Sequence, residues 1–442
     1  MDKRYQKIRP FVDGSCYGLD QFTTVLMMVG MATDPKIDRS SVPRERIYDA
    51  MLDRHLHEDR QMAFVAGPRQ VGKTTACGRR ADETLNWDNA DDRGVMLAGP
   101  AATASRLSLE RLASTPRVTL IDEIHKYGKW KAFLKGFFDT YGTRTKLLVT
   151  GSSRLDVYRR GGDSLMGRYL LYRMHPFTVG ELVDPRLPDE MRIVRSPCGI
   201  PEQEWEALWE HGGFPEPFTK RDRRFTRRWA ALRRQQLVRE DIRDLTQIHE
   251  LGQIEALVRY LEAHSGDQVI FSKLAALVGV SVDTARRWLG TLSGFYLGFT
   301  LQPWFTNVAR SLRKEPKWYL RDWAMVSDIG KRAETFVACH LLKAVEGWTD
   351  LGLGEFQLAY LRDKEKREVD FVVVRDGRPW FLVEVKQSSG QLQGALAHFQ
   401  RQLGAPNAFQ VVIDAEPITA DCFARPDGPL VVPARTFLSQ LL

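Results

Sequence analysis

One stretch of eight residues constrains the fold of this 442-residue chain more than any other feature. Residues 67–74 read Gly-Pro-Arg-Gln-Val-Gly-Lys-Thr, which fits the pattern Gly-x-x-x-x-Gly-Lys-Ser/Thr in full. The short apolar run 62–66 precedes it and predicts a buried strand, and a helix-forming run follows it. Glycines let backbone N–H groups curl around a phosphate, and the positive end of the following helix faces the same anion. The stretch therefore predicts a strand, a phosphate-binding loop and a helix.

The loop also supplies the candidate nucleotide-binding residues. We expect Lys73 to reach the β- and γ-phosphates of ATP and to assist catalysis, and the Thr74 hydroxyl to bind Mg²⁺. The candidate cofactor-binding residues are Gly67, Pro68, Arg69, Gln70, Val71, Gly72, Lys73, Thr74 and Thr75.

A second motif, at residues 118–123, reads Val-Thr-Leu-Ile-Asp-Glu. A mostly apolar strand that ends in two acids places them at the carboxyl edge of a parallel sheet, where ligands of such sheets bind. We expect Asp122 to hold Mg²⁺ through water, and Glu123 to orient and deprotonate the attacking water. Alone, such a pair is usually a solvated turn. After a phosphate loop it favours the hydrolytic half of the same site.

Two further polar residues are weaker candidates for catalysis. Ser152 follows the predicted strand 146–150 and is placed to contact the γ-phosphate or the attacking water, although ordinary turn polarity explains it as well. Arg168 is a candidate for stabilising transition-state charge on a neighbouring subunit's nucleotide, and we expect a homo-oligomer. A structural ion pair is the alternative for Arg168.

Strands and helices alternate through the first part of the chain, which predicts an α/β fold with a parallel sheet covered on both faces. The predicted strands are 62–66, 84–88, 118–122 and 146–150, and the predicted helices are 44–57, 107–113 and 130–141. After residue 176 the alternation stops. Long helical patterns then cover residues 183–262, notably 201–211 and 226–247.

Five motifs occur in an order that is similar to one known family. They are residues 67–75, 85–88, 121–124, 150–153 and 164–168. Together they resemble the prokaryotic AAA+-type P-loop ATPases that carry a C-terminal domain of unknown function, the AAA_14 and DUF4143 pairing. The resemblance spans roughly residues 42–415 and implies an ASCE-type P-loop core with Glu123 as the catalytic glutamate.

Residues 274–292 have the rhythm of a helix-turn-helix. One short helix ends at Gly279, Ser281 caps a second helix, and a strand at about 296–301 follows as a wing. In one interpretation Arg286 and Arg287 contact nucleic-acid phosphates or a groove. In the other, the winged helix is a spacer that contacts only protein.

Toward the C-terminus, residues 368–374 and 380–386 read as two strands around a turn at Gly377. A three- or five-residue loop places Asp370 opposite Glu384, with Lys386 on the same face; a two-residue loop places Glu384 on the other face. This hairpin is similar to the PD-(D/E)xK nuclease pattern. The resemblance implies Mg²⁺- or Mn²⁺-dependent phosphodiester cleavage, with Glu334, Asp370 and Glu384 as metal ligands and Lys386 as catalytic residue. Surface ion pairs, or a fold that only binds, are the alternatives.

Charge and cysteine usage bound the partners and the compartment. Lys and Arg number 64 against 56 Asp and Glu, and the arginines at 221, 223, 224, 227, 228, 233 and 234 cluster on one predicted helix. This pattern fits either a phosphate-contacting stripe or a solvated face. The scattered cysteines show no Cys-x-x-Cys pair, and no apolar run approaches the about 20 residues of a membrane helix. We therefore expect a cytoplasmic protein with no membrane partner.

The sequence thus predicts five parts: an N-terminal extension (1–40), an AAA+-like P-loop core (41–182), a helical region (183–262), a winged helix (263–330) and a PD-(D/E)xK-like α/β domain (331–442). The leading functional hypothesis is an ATP-hydrolysing protein that processes nucleic acid, DNA more than RNA. The second is a nucleotide-controlled interaction switch with an inert nuclease-like recognition domain. A metabolic kinase is a weaker hypothesis, because such an enzyme does not require the extra modules.

Overall fold

A computed structural model describes residues 44–110, 115–151, 165–242, 250–305, 314–388, 390–424 and 428–442. The predicted extension 1–40 and Ser152 lie outside these residues. Within them, no helix combines the length and the apolar character needed to cross a bilayer.

The first unit is built on a five-stranded parallel sheet, with the strand order β2-β3-β4-β1-β5. Its strands are β1 (Met62–Ala66), β2 (Glu83–Asn86), β3 (Arg117–Asp122), β4 (Thr145–Gly151) and β5 (Tyr169–Arg173). All five residues of β1 are buried, because β1 lies between β4 and β5 with apolar side chains on both faces. The predicted parallel α/β sheet is confirmed.

Five helices accompany this sheet: α1 (Ile47–Glu58), α2 (Lys73–Gly78), α3 (Ala90–Leu97), α4 (Pro100–Arg106) and α5 (Trp130–Tyr141). The helix predicted over 107–113 does not form at residues 107–110, and residues 111–113 lie outside the described ranges. Helix α4 begins earlier, with Pro100 in its first turn, and ends before Ser108, whose φ of 54° is left-handed and does not continue a helix.

The middle of the chain is mostly helical. Its helices are α6 (Val179–Val183), α7 (Glu202–His211), α8 (Pro215–Lys220), α9 (Arg223–Gln236) and α10 (Leu251–Ala263), with a π-helical segment at Leu237–Ile242. Asp222 caps α9 by accepting the Phe225 N–H. The helix predicted over 226–247 therefore begins earlier and is followed by the π segment after Gln236, and residues 243–247 lie outside the described ranges.

Two short helices and a two-stranded sheet follow. They are α11 (Phe271–Val278), α12 (Val282–Gly294), and the antiparallel strands β6 (Gly298–Leu301) and β7 (Lys317–Leu320). Gly279 ends α11 in the left-handed conformation, and the Ser281 hydroxyl accepts the Thr284 N–H at the start of α12. The helix-turn-helix geometry is present; its assignment as a winged helix stays a prediction.

The last unit is a mixed sheet with the order β12-β11-β10-β9-β8. Its elements are α13 (Ile329–Asp350), β8 (Phe356–Arg362), β9 (Glu368–Arg375), β10 (Arg378–Lys386), α14 (Gly394–Leu403), β11 (Asn407–Val412), β12 (Pro429–Pro433) and α15 (Ala434–Ser439). Strand β12, which the sequence analysis did not predict, pairs in parallel with β11 at the edge of this sheet. Helix α13 packs against both β8 and β10, and also against β5 of the first sheet.

The β9–β10 hairpin reaches the predicted register by another route. Its turn has only two residues, Asp376 and Gly377, both with positive φ, because Arg375 pairs with Arg378. A bulge between Pro379 and Phe381 then shifts the register by one residue, so that Val383 pairs with Phe371. Of the two alternatives left open by the sequence, the two-residue loop is the one that forms. The bulge nevertheless carries Glu384 to the position opposite Asp370.

Candidate nucleotide and carboxylate sites

The loop between β1 and α2 requires glycine at two positions. A Cβ at Gly67 would lie 2.3 Å from the carbonyl oxygen of Met174, so the backbone approaches too closely for any side chain. Gly72, which caps α2, has a φ of 101°, a conformation that L-residues with side chains rarely adopt. The loop consequently leads into the N-terminus of α2 in the way that an anion-binding loop requires.

Lys73 is the buried cation of this loop. Its ammonium donates hydrogen bonds to the carbonyl oxygens of Gly67 (2.9 Å) and Pro68 (2.7 Å). Burial lowers the pKa of Lys73 to about 8, while Glu123 and Asp122 act to raise it and Arg69 acts to lower it. The ammonium thus lies within the loop, where a bound phosphate would give it a stronger partner than two carbonyls.

The Asp122 carboxylate lies at the end of β3 and is buried. It accepts the Thr74 hydroxyl, whose oxygen is 3.1 and 3.2 Å from the two carboxylate oxygens, and a short hydrogen bond from the Thr150 hydroxyl. Carboxylate and hydroxyl oxygens are the donors that Mg²⁺ prefers. Asp122 and Thr74 therefore fit a Mg²⁺ ion beside the phosphate loop.

Glu123 follows directly, with a left-handed φ of 55° that turns the chain out of the strand. Its carboxylate lies 3.4 Å from the Lys126 ammonium and 3.8 Å from the His125 ring. Non-glycine residues in this conformation are uncommon and occur preferentially at functional sites. The role of Glu123 as the base stays a prediction.

The two weaker catalytic candidates have different outcomes. Ser152 lies outside the described residues, whereas its neighbour Thr150, which the sequence analysis did not select, contacts Asp122. Arg168 forms a two-pronged ion pair with Asp139 of the same chain, at 2.7 and 2.9 Å. This ion pair is the structural alternative for Arg168, and a role at a neighbouring subunit's nucleotide stays a prediction.

Arg46 is a residue near the loop that sequence reasoning missed. Its guanidinium donates to the Val71 carbonyl (3.0 Å), to the His175 carbonyl (2.7 Å) and to the Glu181 carboxylate (2.7 and 3.1 Å). Glu181 also accepts the Lys343 ammonium from α13, and its two cations hold its pKa down, at about 2, against burial. The phosphate loop is thereby tied to the long helix of the last unit.

The C-terminal candidates also lie together. The Val385 N–H donates to the Asp370 carboxylate (2.9 Å), and the Lys386 ammonium donates to Glu384 (2.8 Å). Burial, with the negative charges of Glu334 and Glu384, raises the pKa of Asp370 well above its ordinary value. The fold therefore brings Glu334, Asp370, Glu384 and Lys386 to one end of the β9–β10 hairpin.

A lysine that the sequence analysis did not select lies among these carboxylates. The Lys317 ammonium, from β7, is 2.6 Å from Glu368, 3.0 Å from Glu334 and 3.8 Å from Asp370. These carboxylates raise its pKa although its side chain is only 5% exposed. Tyr319 donates a further hydrogen bond to Glu334 (2.6 Å).

This donor set does not fit the divalent cation that the nuclease resemblance implies. One oxygen of Glu334 accepts from both an ammonium and a hydroxyl, and one oxygen of Glu384 accepts from Lys386. Across the part of the chain that the structure describes, no group of three or more His, Cys, Asp or Glu side chains has an arrangement suited to a metal ion.

The arginine cluster is partly paired within the protein. Arg221 lies at the left-handed C-cap of α8, and the other six arginines lie on α9. Arg221 contacts Glu204 (2.6 Å), Arg223 contacts Glu210 (2.5 Å) and Arg234 contacts Glu262 (2.7 Å). Arg233 lies over the Phe214 ring. Among the described residues, the exposed cations of this cluster without an ion-pair partner are Arg224, Arg227 and Arg228.

The two arginines of the second helix of the helix-turn-helix, α12, are both exposed. Arg286 lies 3.3 Å from Asp283 and 4.8 Å from the centre of the Phe271 ring. Arg287 has no ion-pair partner in the described ranges. The helix therefore presents one free and one partly compensated cation to solvent.

Three family models match parts of the chain. Residues 59–183 match an AAA domain, residues 202–334 match a domain of unknown function (DUF8612), and residues 329–422 match a second domain of unknown function (DUF4143). The AAA match covers the phosphate loop, the acid pair and every strand of the parallel sheet. The sheet, the loop and this match together support a P-loop ATPase.

Comparison with individual proteins adds relatives of similar length. The chain is 26% identical over 351 residues to the uncharacterized proteins Rv2008c of Mycobacterium tuberculosis and Mb2031c of Mycobacterium bovis, covering 77% of this chain and 73% of each relative. These relatives are similar to this chain over more than the P-loop unit alone.

Two solved structures show a distant likeness. One is C. elegans PCH-2, at 11% identity over 37% of this chain and 44% of that chain. The other is PH0952 of Pyrococcus horikoshii, a signal transduction ATPase with numerous domains and a tetratricopeptide repeat sensor, at 12% identity over 72% of this chain and 50% of that chain. Both have a TM-score of 0.22, which is too low to establish a shared architecture.

Proposed function

We propose that this protein hydrolyses ATP with Mg²⁺ at the loop 67–75 and couples hydrolysis to work on nucleic acid. The observation that carries the first part is the approach of the Thr74 hydroxyl and the Asp122 carboxylate to 3.1 Å beside the buried Lys73. These are the side chains that a P-loop uses for the phosphates and their Mg²⁺. They come from two motifs far apart in sequence.

Each side chain has a defined task in this proposal. Lys73 exchanges its two carbonyl partners for phosphate oxygens and neutralises their charge. When bound, Mg²⁺ neutralises phosphate charge and favours transfer of the phosphoryl group to water. Thr74 and Asp122 orient toward the position of this ion, and Glu123 takes a proton from the attacking water.

Two substitutions test the assignment. Lys73→Ala removes the ammonium, so we expect loss of ATP binding in a fluorescence titration. Glu123→Gln keeps the shape but not the base, so we expect binding to persist while turnover falls at least about 100-fold. Lys129→Ala and Glu58→Gln, both at exposed positions, serve as matched controls. Turnover by Glu123→Gln at the rate of its control would contradict the assignment.

The nucleic-acid part of the proposal is supported by basic surface. Arg224, Arg227 and Arg228 are exposed on α9 without ion-pair partners among the described residues, and α12 presents Arg287. We expect DNA to stimulate ATP turnover, and we expect DNA affinity to fall steeply with salt, because phosphate contacts release counterions. The test is turnover with and without double-stranded DNA at two salt concentrations. If ATP turnover does not change with DNA and DNA affinity does not change with salt, only this part of the proposal is contradicted.

A second candidate function is a nucleotide-controlled interaction switch with an inert nuclease-like recognition unit. Two observations favour it: the internal pairing of Arg221, Arg223 and Arg234, and the position of Lys317 among the C-terminal carboxylates. In that case DNA neither binds tightly nor changes turnover. ATP instead alters self-association, measured by sedimentation of Glu123→Gln with and without ATP. An unchanged sedimentation coefficient would contradict the switch.

A further inference from the structure

The cluster around Lys317 joins three elements of the fold. Lys317 lies on β7, Glu334 on α13, and Glu368 and Asp370 on β9. The ammonium reaches all three acids within 3.8 Å and is nearly inaccessible to solvent. A buried charge with three partners is fixed in place by its neighbours, in contrast to a surface lysine that samples many rotamers.

The position of the ammonium bears on cation binding. A divalent cation between Glu334 and Asp370 would lie next to Lys317, and the repulsion between like charges is strong where water is excluded. Mg²⁺ also requires near-octahedral oxygen coordination at about 2.0–2.1 Å with several retained waters. Oε1 of Glu334 already accepts from both Lys317 and Tyr319, so a cation at this oxygen would have to displace an ammonium and a hydroxyl.

We propose that Lys317 occupies the cation position of the C-terminal carboxylates, so that this unit binds no divalent metal and has no metal-dependent nuclease activity. The ammonium acts as a clamp that holds the β6–β7 sheet on the C-terminal sheet. Tyr319, two residues along the same strand and also bonded to Glu334, extends the clamp. This proposal is independent of ATP hydrolysis.

The charges of the cluster are consistent with a closed ion-pair network. Lys317, Lys386 and Arg362 face Glu334, Glu368, Asp370 and Glu384, and Arg362 contacts Glu368 at 2.7 Å. A metal nuclease site, in contrast, keeps ligand oxygens uncommitted for the ion and its waters. Lys386 and Arg362, each about one-third exposed, lie at the rim of this network, whereas Lys317 is 5% exposed.

The first test uses the full, nucleotide-free chain and Mn²⁺ as the probe. Free Mn²⁺ is followed by electron paramagnetic resonance for the wild type and for Asp370→Asn. We expect identical binding curves, because any Mn²⁺ at the P-loop is unaffected by Asp370. We also expect no cleavage of labelled single-stranded, double-stranded or branched DNA above the Asp370→Asn background. Mn²⁺ binding or cleavage that Asp370→Asn removes would overturn the proposal.

The second test removes the clamp. We expect Lys317→Met to bind about one additional Mn²⁺ per chain, because the carboxylates lose their resident cation. The double variant Lys317→Met/Asp370→Asn should lose this additional ion. Lys386→Met, which removes the more exposed lysine, is the matched control and should gain none. A folded Lys317→Met without additional Mn²⁺ would overturn the assignment of the cation position. If Lys317→Met does not fold, the comparison of the wild type with Asp370→Asn in the first test decides the proposal alone.

Discussion

The ammonium of Lys73 is where the nucleotide site is sensitive to pH. Burial lowers its pKa to about 8, below the ordinary 10.5, so its charge is half lost at about pH 8 and is lost further as the pH rises. We expect ATP affinity to weaken above about pH 8, by at most about tenfold per pH unit. Fluorescence titration from pH 7 to 9.5 measures this.

The matched variant for that experiment is Lys73→Arg. A guanidinium stays protonated throughout this range, so whatever affinity the variant retains should change little with pH. If the wild type and Lys73→Arg weaken in parallel, another group controls the pH dependence.

Arg46 presents a second prediction at a single residue. Its guanidinium donates to the Val71 carbonyl, which fixes the peptide plane between Val71 and Gly72. We expect this contact to keep the Gly72 N–H in an orientation that can bind an anion. Arg46→Lys keeps one charge for Glu181 but cannot reach Val71 and His175 together. We expect ATP affinity to fall about tenfold, equivalent to one lost charge-assisted hydrogen bond.

The control for Arg46 is Arg80→Lys. Arg80 also pairs with carboxylates near α1, those of Asp49 and Asp53, but it does not contact the phosphate loop. We expect the control to bind ATP as the wild type does. An Arg46→Lys protein with unchanged ATP affinity would show that the Val71 contact does not position the loop.

The residues that sequence alone selected share one property: they lie in contiguous motifs. Gly67 to Thr75 are consecutive, and Asp122 ends an apolar strand, so spacing is enough to find them. Arg46 precedes Val71 by 25 residues, and Lys317 lies outside the hairpin whose acids it binds. No local pattern connects such pairs, because their contact depends on how the elements pack.

At the scale of elements, apolar runs in the sequence predicted the positions of the strands better than they predicted the pairing of those strands. The run at 62–66 became β1 without change, and helix 130–141 became α5. Strand β12 was missed because Pro429 and Pro433 bound it, and prolines within a short run argue against a strand. The two-residue turn was one of two alternatives, but the bulge that follows it was missed, because a bulge leaves no clear mark in the sequence.

Helix α9 carries the prediction that belongs to this scale. If its free arginines contact phosphates, replacing Arg224, Arg227 and Arg228 by Ala should lower the slope of log K against log salt by about 2 to 3. Arg223→Ala, which removes a cation already paired with Glu210, should change that slope by less than the amount expected for the loss of one phosphate contact. The measurement is DNA-binding anisotropy between low and high salt. Equal slopes for the triple variant and the wild type would exclude α9 from the interface.

At the scale of the whole molecule, helix α13 connects the two large sheets. Near its middle, Lys343 pairs with Glu181 beside the phosphate loop, and close to its start Glu334 binds Lys317. Arg173 of β5 also pairs with Asp350 at the end of the helix. Polar contacts therefore join α13 to the region of the phosphate loop at one place and to the C-terminal carboxylates at another, and the helix connects the two. We expect nucleotide binding to alter hydrogen exchange along α13.

The same helix predicts how the molecule responds to acid. His340 is fully buried, and its Nε2 accepts the Val179 N–H while its Nδ1 donates to the Phe336 carbonyl. Burial, with the nearby Lys343 charge, lowers the pKa of His340 to about 3. The unfolded chain binds this proton near pH 6.5, so the contribution to the free energy of unfolding is present above that pH and is lost as the pH falls toward 3.

We expect the wild type to lose up to about 1.4 kcal/mol per pH unit through His340 below pH 6.5. His340→Gln cannot take up this proton, so the difference in the free energy of unfolding between it and the wild type should narrow from pH 7.5 to pH 5.5. Urea unfolding followed by tryptophan fluorescence measures this, with the exposed His57→Gln as control. If the difference in the free energy of unfolding stays constant across that range, protonation of His340 does not weaken the contact between α6 and α13. Any acid sensitivity of the contact between α13 and the region of the phosphate loop would then come from other titratable groups.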